Sequence, residues 1–171
     1  MILKLHELKK PIHLSVTQKD EWFKDVLSKA NLSVLDDFSL DLQLEKDKET
    51  VLVQGHVRGN IQMTCSRCAE PMTFLINEFF APVFVHGQDP DTKDRGLHKS
   101  ELDVTYFQGD EFSVAQMVQE QLLLSLPIQP LCSESCMGIC QHCRKSLNEG
   151  KCECKEKIHF GPFHVLKDLK V

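Results

Sequence analysis

Eight cysteines constrain this chain more than any other feature of its sequence. They follow the pattern Cys65-x2-Cys68, a long gap, and then Cys132-x3-Cys136-x3-Cys140-x2-Cys143-x8-Cys152-x-Cys154. Two cysteines separated by two residues can place both thiolates on one ion, and zinc takes four such ligands at about 2.3 Å in a tetrahedron. Eight cysteines make two complete ligand sets, so we expect two structural Zn²⁺ ions.

The order of the cysteines along the chain indicates how they divide between two sites. One set is local: Cys140, Cys143, Cys152 and Cys154. The intervening segment is long enough to turn back, and Asn148 and Gly150 ease the turn. The other set joins distant parts of the chain: Cys65, Cys68, Cys132 and Cys136. We therefore expect one site to form a small zinc knuckle and the other to fasten it to the body of the protein.

Other cysteine chemistries fit this pattern less well. Disulfides belong to secreted proteins, and the segment Met1–His6 has neither the apolar run nor the cleavage site of a secretory signal. A redox C-x2-C pair normally opens a helix, whereas Cys65 and Cys68 fall between predicted strands. The ligand run typical of bacterial iron–sulfur proteins is absent. We favour zinc, with an iron–sulfur cluster or a redox dithiol as the alternatives. We also expect a soluble protein of the cytoplasm.

The same pattern argues against an enzyme. His142 lies between two cysteines and could replace one as a ligand, but four cysteines already fill that set. Four thiolates leave no coordination position for water, and metal-assisted hydrolysis needs an open position. No paired acid and base is evident in the sequence. We therefore predict no catalytic residue and no small-molecule substrate.

Composition limits the partners. Hydrophobic residues make up 42% of the 171 residues, enough for one core or for a core with a small metal-bound lobe. No apolar run approaches the ~20 residues of a membrane span, so we expect no membrane partner. The formal net charge of −5 counts against broad nonspecific nucleic-acid binding. Residues 132–171 are nevertheless weakly basic and could contact RNA locally.

Residue periodicity predicts two helices. Thr17 is a candidate N-cap for the first helix, whose apolar residues from Trp22 to Ala30 recur at helical spacing. Ser113 and Gln116 fit a capping box, in which the serine caps forward and the glutamine reaches back. The helix that they open stops before Pro127.

Period-two alternation predicts strands near residues 38–45, 51–63, 74–83 and 102–107. In the long second strand, Gly55 and Gly59 are candidates for bulges or a sharp bend. This strand leads into Cys65, and the next strand returns after Cys68. The first cysteine pair is therefore predicted at the tip of an antiparallel hairpin. Residues 86–100 have little apolar content and are predicted to be a loop.

Together these elements predict an α+β fold with an antiparallel β-sheet, packed helices and a C-terminal cysteine-rich zinc-knuckle lobe. We expect residues 1–131 to form the α+β body, with the first cysteine pair at its hairpin tip. Residues 132–171 would form the zinc lobe and a C-terminal docking segment. In that segment Phe163, Leu166 and Leu169 have the spacing of a short helix.

In this order the motifs resemble the YceD-like family, described as large ribosomal RNA subunit accumulation proteins. The segments that carry the resemblance are Cys65-Ser66-Arg67-Cys68, residues 118–132 around Leu124-Ser125-Leu126-Pro127, residues 136–143, residues 146–154 and residues 162–169. The similarity runs from about the first strand pair to the C-terminus. Arg144 stands where the family pattern has a glycine after the second C-x2-C pair.

The resemblance implies ribosome biogenesis, in support of accumulation of large-subunit (23S) ribosomal RNA. We expect the chain to bind ribosomal RNA, a ribosomal protein or an assembly factor through a zinc-stabilised surface. The candidate phosphate contacts are basic residues beside the cysteines: Arg67, Arg144, Lys145, Lys151, Lys155 and Lys157. The alternative for these residues is a role as solvated charges. The alternative function is a zinc-structured protein–protein interaction adaptor without RNA contact.

Overall fold

The computed structural model describes residues 1–88 and 104–154, except for the side chain of Asp36. Its elements are β1 (Ile2–Lys4), β2 (Ile12–Thr17), α1 (Glu21–Lys29), β3 (Ser33–Asp47), β4 (Thr50–Thr64), β5 (Pro71–Phe80), β6 (Val83–His86), β7 (Val104–Phe107), β8 (Glu111–Ser113), α2 (Val114–Leu124) and a 3-10 turn (Leu147–Glu149). The fold is mixed α+β and mostly sheet, as predicted. The predicted docking segment and most of the predicted loop at 86–100 lie outside the described residues.

A six-stranded sheet forms the body. Its strand order is β2-β3-β4-β6-β7, and β5 pairs with β4 as well. Strands β5 and β6 share one edge of β4: β5 pairs with Gly55–Thr64 and β6 with Thr50–Leu52. The predicted single strand at 74–83 is therefore wrong, because the chain leaves the ladder at Ala81 and Pro82, and proline has no N–H to donate.

One pairing departs from the predicted antiparallel sheet. Strands β6 and β7 run parallel, with Val83 opposite Val104 and His86 opposite Phe107. A parallel pair needs a connection of about a dozen residues or more, and residues 87–103 satisfy that requirement. A separate two-stranded sheet joins β1 to β8 in antiparallel register.

The two glycines of β4 permit close contact with large aromatic side chains. Gly59 faces a bulge in β3, where the register shifts between Asp36 and Ser39. A Cβ atom at Gly59 would lie 2.8 Å from the Cα of Phe38, and the φ of Gly59 is +150°. At Gly55 a Cβ atom would overlap the ring of Phe80. Gly59 therefore marks a bulge that lies on the neighbouring strand, and Gly55 makes room for an inward ring.

The hydrophobic core lies between one face of the sheet and the two helices. Alternate residues of β3 and β4 pack there with Phe23, Val26 and Leu27 of α1 and with Met117 and Leu122 of α2. The opposite face of β2, β3, β4 and β5, which we call the outer face, carries exposed or half-buried side chains. The molecule thus has one covered sheet face and one that is open over the described residues.

The helix starts differ in part from the prediction. Helix α1 begins at Glu21 with Asp20 at the N-cap, so the predicted cap at Thr17 is wrong. Thr17 instead ends β2, and its backbone N–H donates to Asp20 Oδ2 at 2.8 Å. For α2, Ser113 caps as predicted, because its Oγ accepts from the backbone N–H of Gln116. The Gln116 side chain donates to Glu120 Oε1 rather than reaching back.

Candidate metal centres

The eight cysteines form two groups of four sulfur atoms. The first cluster contains Cys65, Cys68, Cys132 and Cys136, and the second contains Cys140, Cys143, Cys152 and Cys154. Within each cluster all sulfur atoms lie within 4.8 Å of one another. The spacing of the cysteines along the chain predicts this division.

The sulfur separations fit a shared ion. The Sγ atoms of Cys65 and Cys136 are 3.8 Å apart, and those of Cys68 and Cys132 are 3.6 Å apart. A tetrahedron with metal–sulfur distances of about 2.3 Å has sulfur atoms about 3.8 Å apart. A disulfide would bring two sulfur atoms to about 2.05 Å. Both clusters therefore present the donor set of a closed four-thiolate site.

The first cluster ties the β4–β5 hairpin to the chain that leaves α2. Cys65 and Cys68 lie in the turn between the two strands, while the other two ligands follow the helix. The backbone supports this junction, because the N–H of Ser66 donates to the carbonyl oxygen of Pro130 at 2.8 Å. Met72 and Leu131 pack against the buried sulfurs. An ion here would crosslink segments more than sixty residues apart, which closes a long loop of chain.

The second cluster is built from a short stretch of chain. Cys140 is buried, Cys143 is exposed, and Cys152 and Cys154 are half-buried. Ile139 and Ser146 form an isolated antiparallel bridge that turns the chain back. Among the residues that the structure describes, none of these four cysteines belongs to a buried hydrophobic cluster, so an ion would supply a large share of the order of this segment.

The two C-x2-C turns have the same backbone geometry. In the first, the N–H of Ala69 donates to the carbonyl of Cys65 at 3.0 Å, and the N–H of Cys65 donates to that of Glu70 at 2.9 Å. In the second, the equivalent bonds join Arg144 to Cys140 and Cys140 to Lys145, each at 2.9 Å. The chain thus uses one knuckle twice.

The residue after each knuckle adopts a left-handed backbone conformation. The φ angles of Ala69 and Arg144 are +60° and +59°. Glycine enters this region without steric cost, whereas other L-residues do not. This geometry explains why a glycine is the expected residue at position 144. Arg144 forms the same turn, but its backbone conformation is strained.

Backbone N–H groups point at one sulfur in each knuckle and favour its thiolate form. Hydrogen bonding from the N–H of Cys68, and then from that of Cys132, lowers the pKa of Cys65 to about 6. The N–H groups of Cys143 and His142 likewise lower the pKa of Cys140 to about 6. Thiolates are the species that bind metal, so each knuckle presents one preformed ligand.

Crowding of the sulfur atoms raises the pKa of other cysteines in each cluster. The neighbouring sulfurs of Cys136 and Cys68 raise the pKa of Cys132 to about 12. The sulfur of Cys143 raises the pKa of Cys154 to about 12. Four thiolates this close repel one another, and a divalent cation would offset that repulsion. The electrostatics of both clusters therefore fit a bound cation.

Asn148 links the two clusters, and sequence reasoning missed this role. Its Oδ1 accepts from the backbone N–H of Met137 at 2.7 Å, and its Nδ2 donates to Cys136 Sγ at 3.5 Å. This hydrogen bond is the largest influence lowering the pKa of Cys136. Asn148 lies in the loop of the second cluster and yet contacts a ligand of the first. The only signal in the sequence was a polar amide between cysteines, which also fits an ordinary turn.

The structure describes four of the six candidate phosphate contacts. Arg67 is exposed, but its Nη1 donates to the carbonyl oxygen of Cys136 at 3.2 Å and so supports the first cluster. Arg144, Lys145 and Lys151 are exposed near the second cluster. Lys155 and Lys157 lie outside the described residues. Contact of these six residues with RNA stays a prediction.

Fold and site together define a mixed α+β protein with two four-cysteine clusters, the first of which joins a β-hairpin tip to the C-terminal region. Over the residues that the structure describes, neither helix has the length and apolar character that a bilayer span demands. The family model described as large ribosomal RNA subunit accumulation protein YceD matches residues 53–170, a segment that contains all eight cysteines. The chain belongs to the YceD family, which confirms the resemblance seen in the sequence.

Individual relatives are distant. Uncharacterized proteins of Mycobacterium tuberculosis and Mycobacterium bovis are each 28% identical over 105 residues, which cover 61% of this chain and 48% of the relative. The large ribosomal RNA subunit accumulation protein YCED homolog 1, a chloroplastic protein of Arabidopsis thaliana, is 25% identical over 148 residues, covering 72% of this chain and 46% of that protein. The chain spans about half the length of the curated relatives it matches. No solved structure matches it.

Proposed function

We propose that this chain is a ribosome biogenesis factor that supports accumulation of large-subunit (23S) ribosomal RNA. The observation that carries the proposal is the family match over residues 53–170, which includes both cysteine clusters and the hairpin that the first cluster holds. The name of the Arabidopsis relative supports the same role. We place the role in the cytoplasm, as the sequence predicts.

In this proposal each cluster binds one structural Zn²⁺. Four sulfurs within 4.8 Å, N–H groups directed at Cys65 and Cys140, and mutual repulsion among the sulfurs all support a closed thiolate site. Such a site supplies rigidity rather than a reactive water, so the role is non-enzymatic. The first ion would hold the hairpin tip against the chain after α2, and the second would order residues 140–154. The result is a rigid surface for ribosomal RNA or for an assembly partner.

The direct test is deletion of the gene followed by complementation. The ratio of large-subunit to small-subunit ribosomal RNA should fall in the deletion strain and recover with the wild-type gene. Cys65→Ser should fail to restore the ratio, because it removes a ligand of the first cluster. Ser133→Ala, a change beside another ligand, should restore it. An unchanged ratio in the deletion strain would reject the ribosomal role.

A protein adaptor without RNA contact is the second candidate, and one observation favours it. Leu124 ends α2, Ile128 lies in the connector to the first cluster, and Met137 directly follows Cys136, the last ligand of that cluster. These side chains are 77%, 99% and 69% exposed. Exposed apolar side chains concentrated on one segment are typical of protein interfaces. Salt separates the two candidates: binding to RNA phosphates weakens steeply as salt rises, whereas binding through an apolar interface does not.

A further inference from the structure

An exposed pair of stacked rings lies on the outer face of the sheet, at the end of the β4–β5 ladder opposite its cysteine-bearing tip. Phe79 of β5 is opposite His56 of β4 in the strand register. Their rings are nearly parallel, with an interplanar angle of 7° and centroids 3.8 Å apart. Phe79 is still 76% exposed. One face of its ring therefore rests on the histidine while much of the rest meets solvent.

The stack is held in a fixed orientation. His56 Nε2 is 2.8 Å from Asn77 Oδ1, a hydrogen bond between adjacent strands on the same face. The bond fixes the imidazole plane, and the imidazole in turn supports the phenylalanine ring. A preformed planar platform loses little conformational entropy when a second flat group stacks on it.

A shallow groove of about 260 Å³ opens beside this platform. On the outer face the two stacked rings line this groove together with five polar side chains. These are His13, Ser15, Asp41, Gln43 and Gln54. Asp41 is held in place because the Ser15 hydroxyl donates to its Oδ1 at 2.6 Å. These side chains provide both donors and acceptors. A planar ligand with polar edges suits this groove better than an aliphatic side chain, which would leave the polar groups without partners.

Positive charge lies one step further along the same face. Arg58 is the next outward residue after His56 on β4, about 6.6 Å along the strand. With Lys19 it lines a second groove of about 360 Å³. Asp37 also lines this groove and offsets part of the positive charge. A phosphate beside Arg58 and a base on Phe79 would therefore match the arrangement of a single nucleic-acid strand.

We propose that the outer face binds single-stranded RNA by stacking one unpaired base on the exposed ring of Phe79. The edge of the base lies over the polar groove, and the backbone runs towards Arg58 and Lys19. Stacking of bases on exposed aromatic residues of a sheet is a common mode of single-strand recognition. This inference rests on the proposed function and names a surface for it outside the cysteine clusters.

The test measures fluorescence anisotropy of a short, fluorescein-labelled, single-stranded oligoribonucleotide of mixed sequence, titrated with the metal-loaded full chain. Phe79→Ala should weaken binding by about 5- to 150-fold, the effect of losing one base stack. Phe79→Trp should keep the affinity within about twofold, and its added tryptophan fluorescence should be quenched by the RNA. Leu75→Ala is the matched control, because Leu75 lies on the same strand and face and is 63% exposed. It should change the affinity by less than about twofold.

Several results would overturn the inference. Unchanged affinity in Phe79→Ala would show that the stacked rings do not bind RNA and would favour a protein partner for them. Equal losses of affinity in Phe79→Ala and Leu75→Ala would exclude a specific stacking site. A free nucleoside monophosphate bound as tightly as the oligoribonucleotide would point to a nucleotide ligand instead of a strand. No binding of RNA by the wild-type chain would also reject the inference. The ribosomal role itself is decided separately, by the RNA ratio in the deletion strain.

Discussion

Replacing Asn148 with alanine should weaken metal binding at the first cluster and leave the second nearly unchanged. The substitution removes the donor to Cys136 Sγ and the acceptor for the N–H of Met137. Over the described part of the chain, the hydrogen bonds of Asn148 include none to a sulfur of the second cluster. The effect should therefore be confined to the ligand set that Asn148 touches.

The geometry sets the size of the expected effect. Outer-shell partners of metal ligands typically change metal affinity by about 10- to 100-fold. Cys136 keeps a second hydrogen-bond donor, the backbone N–H of Gly138, when the Asn148 side chain is removed. Met137 is 69% exposed, so water can replace the lost acceptor. Both facts place the loss in the lower part of that range, at about 10- to 30-fold.

The assay is competition with a chelator, followed by alkylation of the released cysteines and mass spectrometry of the peptides. This readout reports each cluster separately, because a metal-bound thiolate is protected from alkylation. In Asn148→Ala the cysteines of the first cluster should be released at lower chelator concentration than in the wild type. Glu149→Gln, a change at the neighbouring exposed residue, should release them at the wild-type concentration.

Asn148→Asp tests the physical reason. Aspartate keeps an acceptor for the N–H of Met137 but replaces the donor to Cys136 with a negative charge beside a thiolate. It should weaken the first cluster at least as much as alanine does. Wild-type protection in Asn148→Asp, or loss of protection at the second cluster alone, would refute the argument.

Four further substitutions test other parts of the account. Arg144→Gly should raise the free energy of unfolding of the metal-loaded protein by up to about 1 kcal/mol, because φ at this position is +59°; a decrease measured by chemical denaturation would contradict this. Gly59→Ala should lower the free energy of unfolding by about 3 kcal/mol, because its Cβ would meet the Phe38 backbone. Gly55→Ala should lower it by only about 1 kcal/mol, because the neighbours there are side chains that can shift. Equal losses in urea denaturation would count against this reasoning. Arg58→Ala should reduce the magnitude of the salt slope of RNA binding by about 0.7, the value for one phosphate contact on a single strand; an unchanged slope would exclude that contact.

The cysteine clusters could be predicted because ligand chemistry is restrictive. Zinc takes four thiolates, and a C-x2-C pair such as Cys140 and Cys143 fits on a single ion. Few divisions of eight cysteines satisfy both requirements. The hairpin tip followed from simple alternation, which continues along β4 into Cys65. The α2 start at Ser113 followed from a local hydrogen bond between residues three positions apart. Each of these predictions depends on residues close in sequence or on a strict count of ligands.

The features that the sequence did not predict depend on contacts between distant parts of the chain, which no short segment determines. Strand β2 was missed, although Ile12, Leu14 and Val16 alternate, because six residues beside a proline give a weak signal without the partner strand β3. Thr17 was misassigned for the same reason, since it ends that strand instead of capping α1. The parallel β6–β7 pair requires knowledge of the whole sheet. The Asn148 link joins residues eleven or more positions apart through one side chain, a contact that spacing alone does not reveal.

Native mass spectrometry of the purified chain tests the central claim most directly, because it counts bound ions without assuming a function. The wild type should carry two zinc ions. Cys65→Ser and Cys152→Ser should each carry one, since each removes a ligand from a different cluster. A metal-free wild-type protein with its cysteines paired as four disulfides would contradict the account.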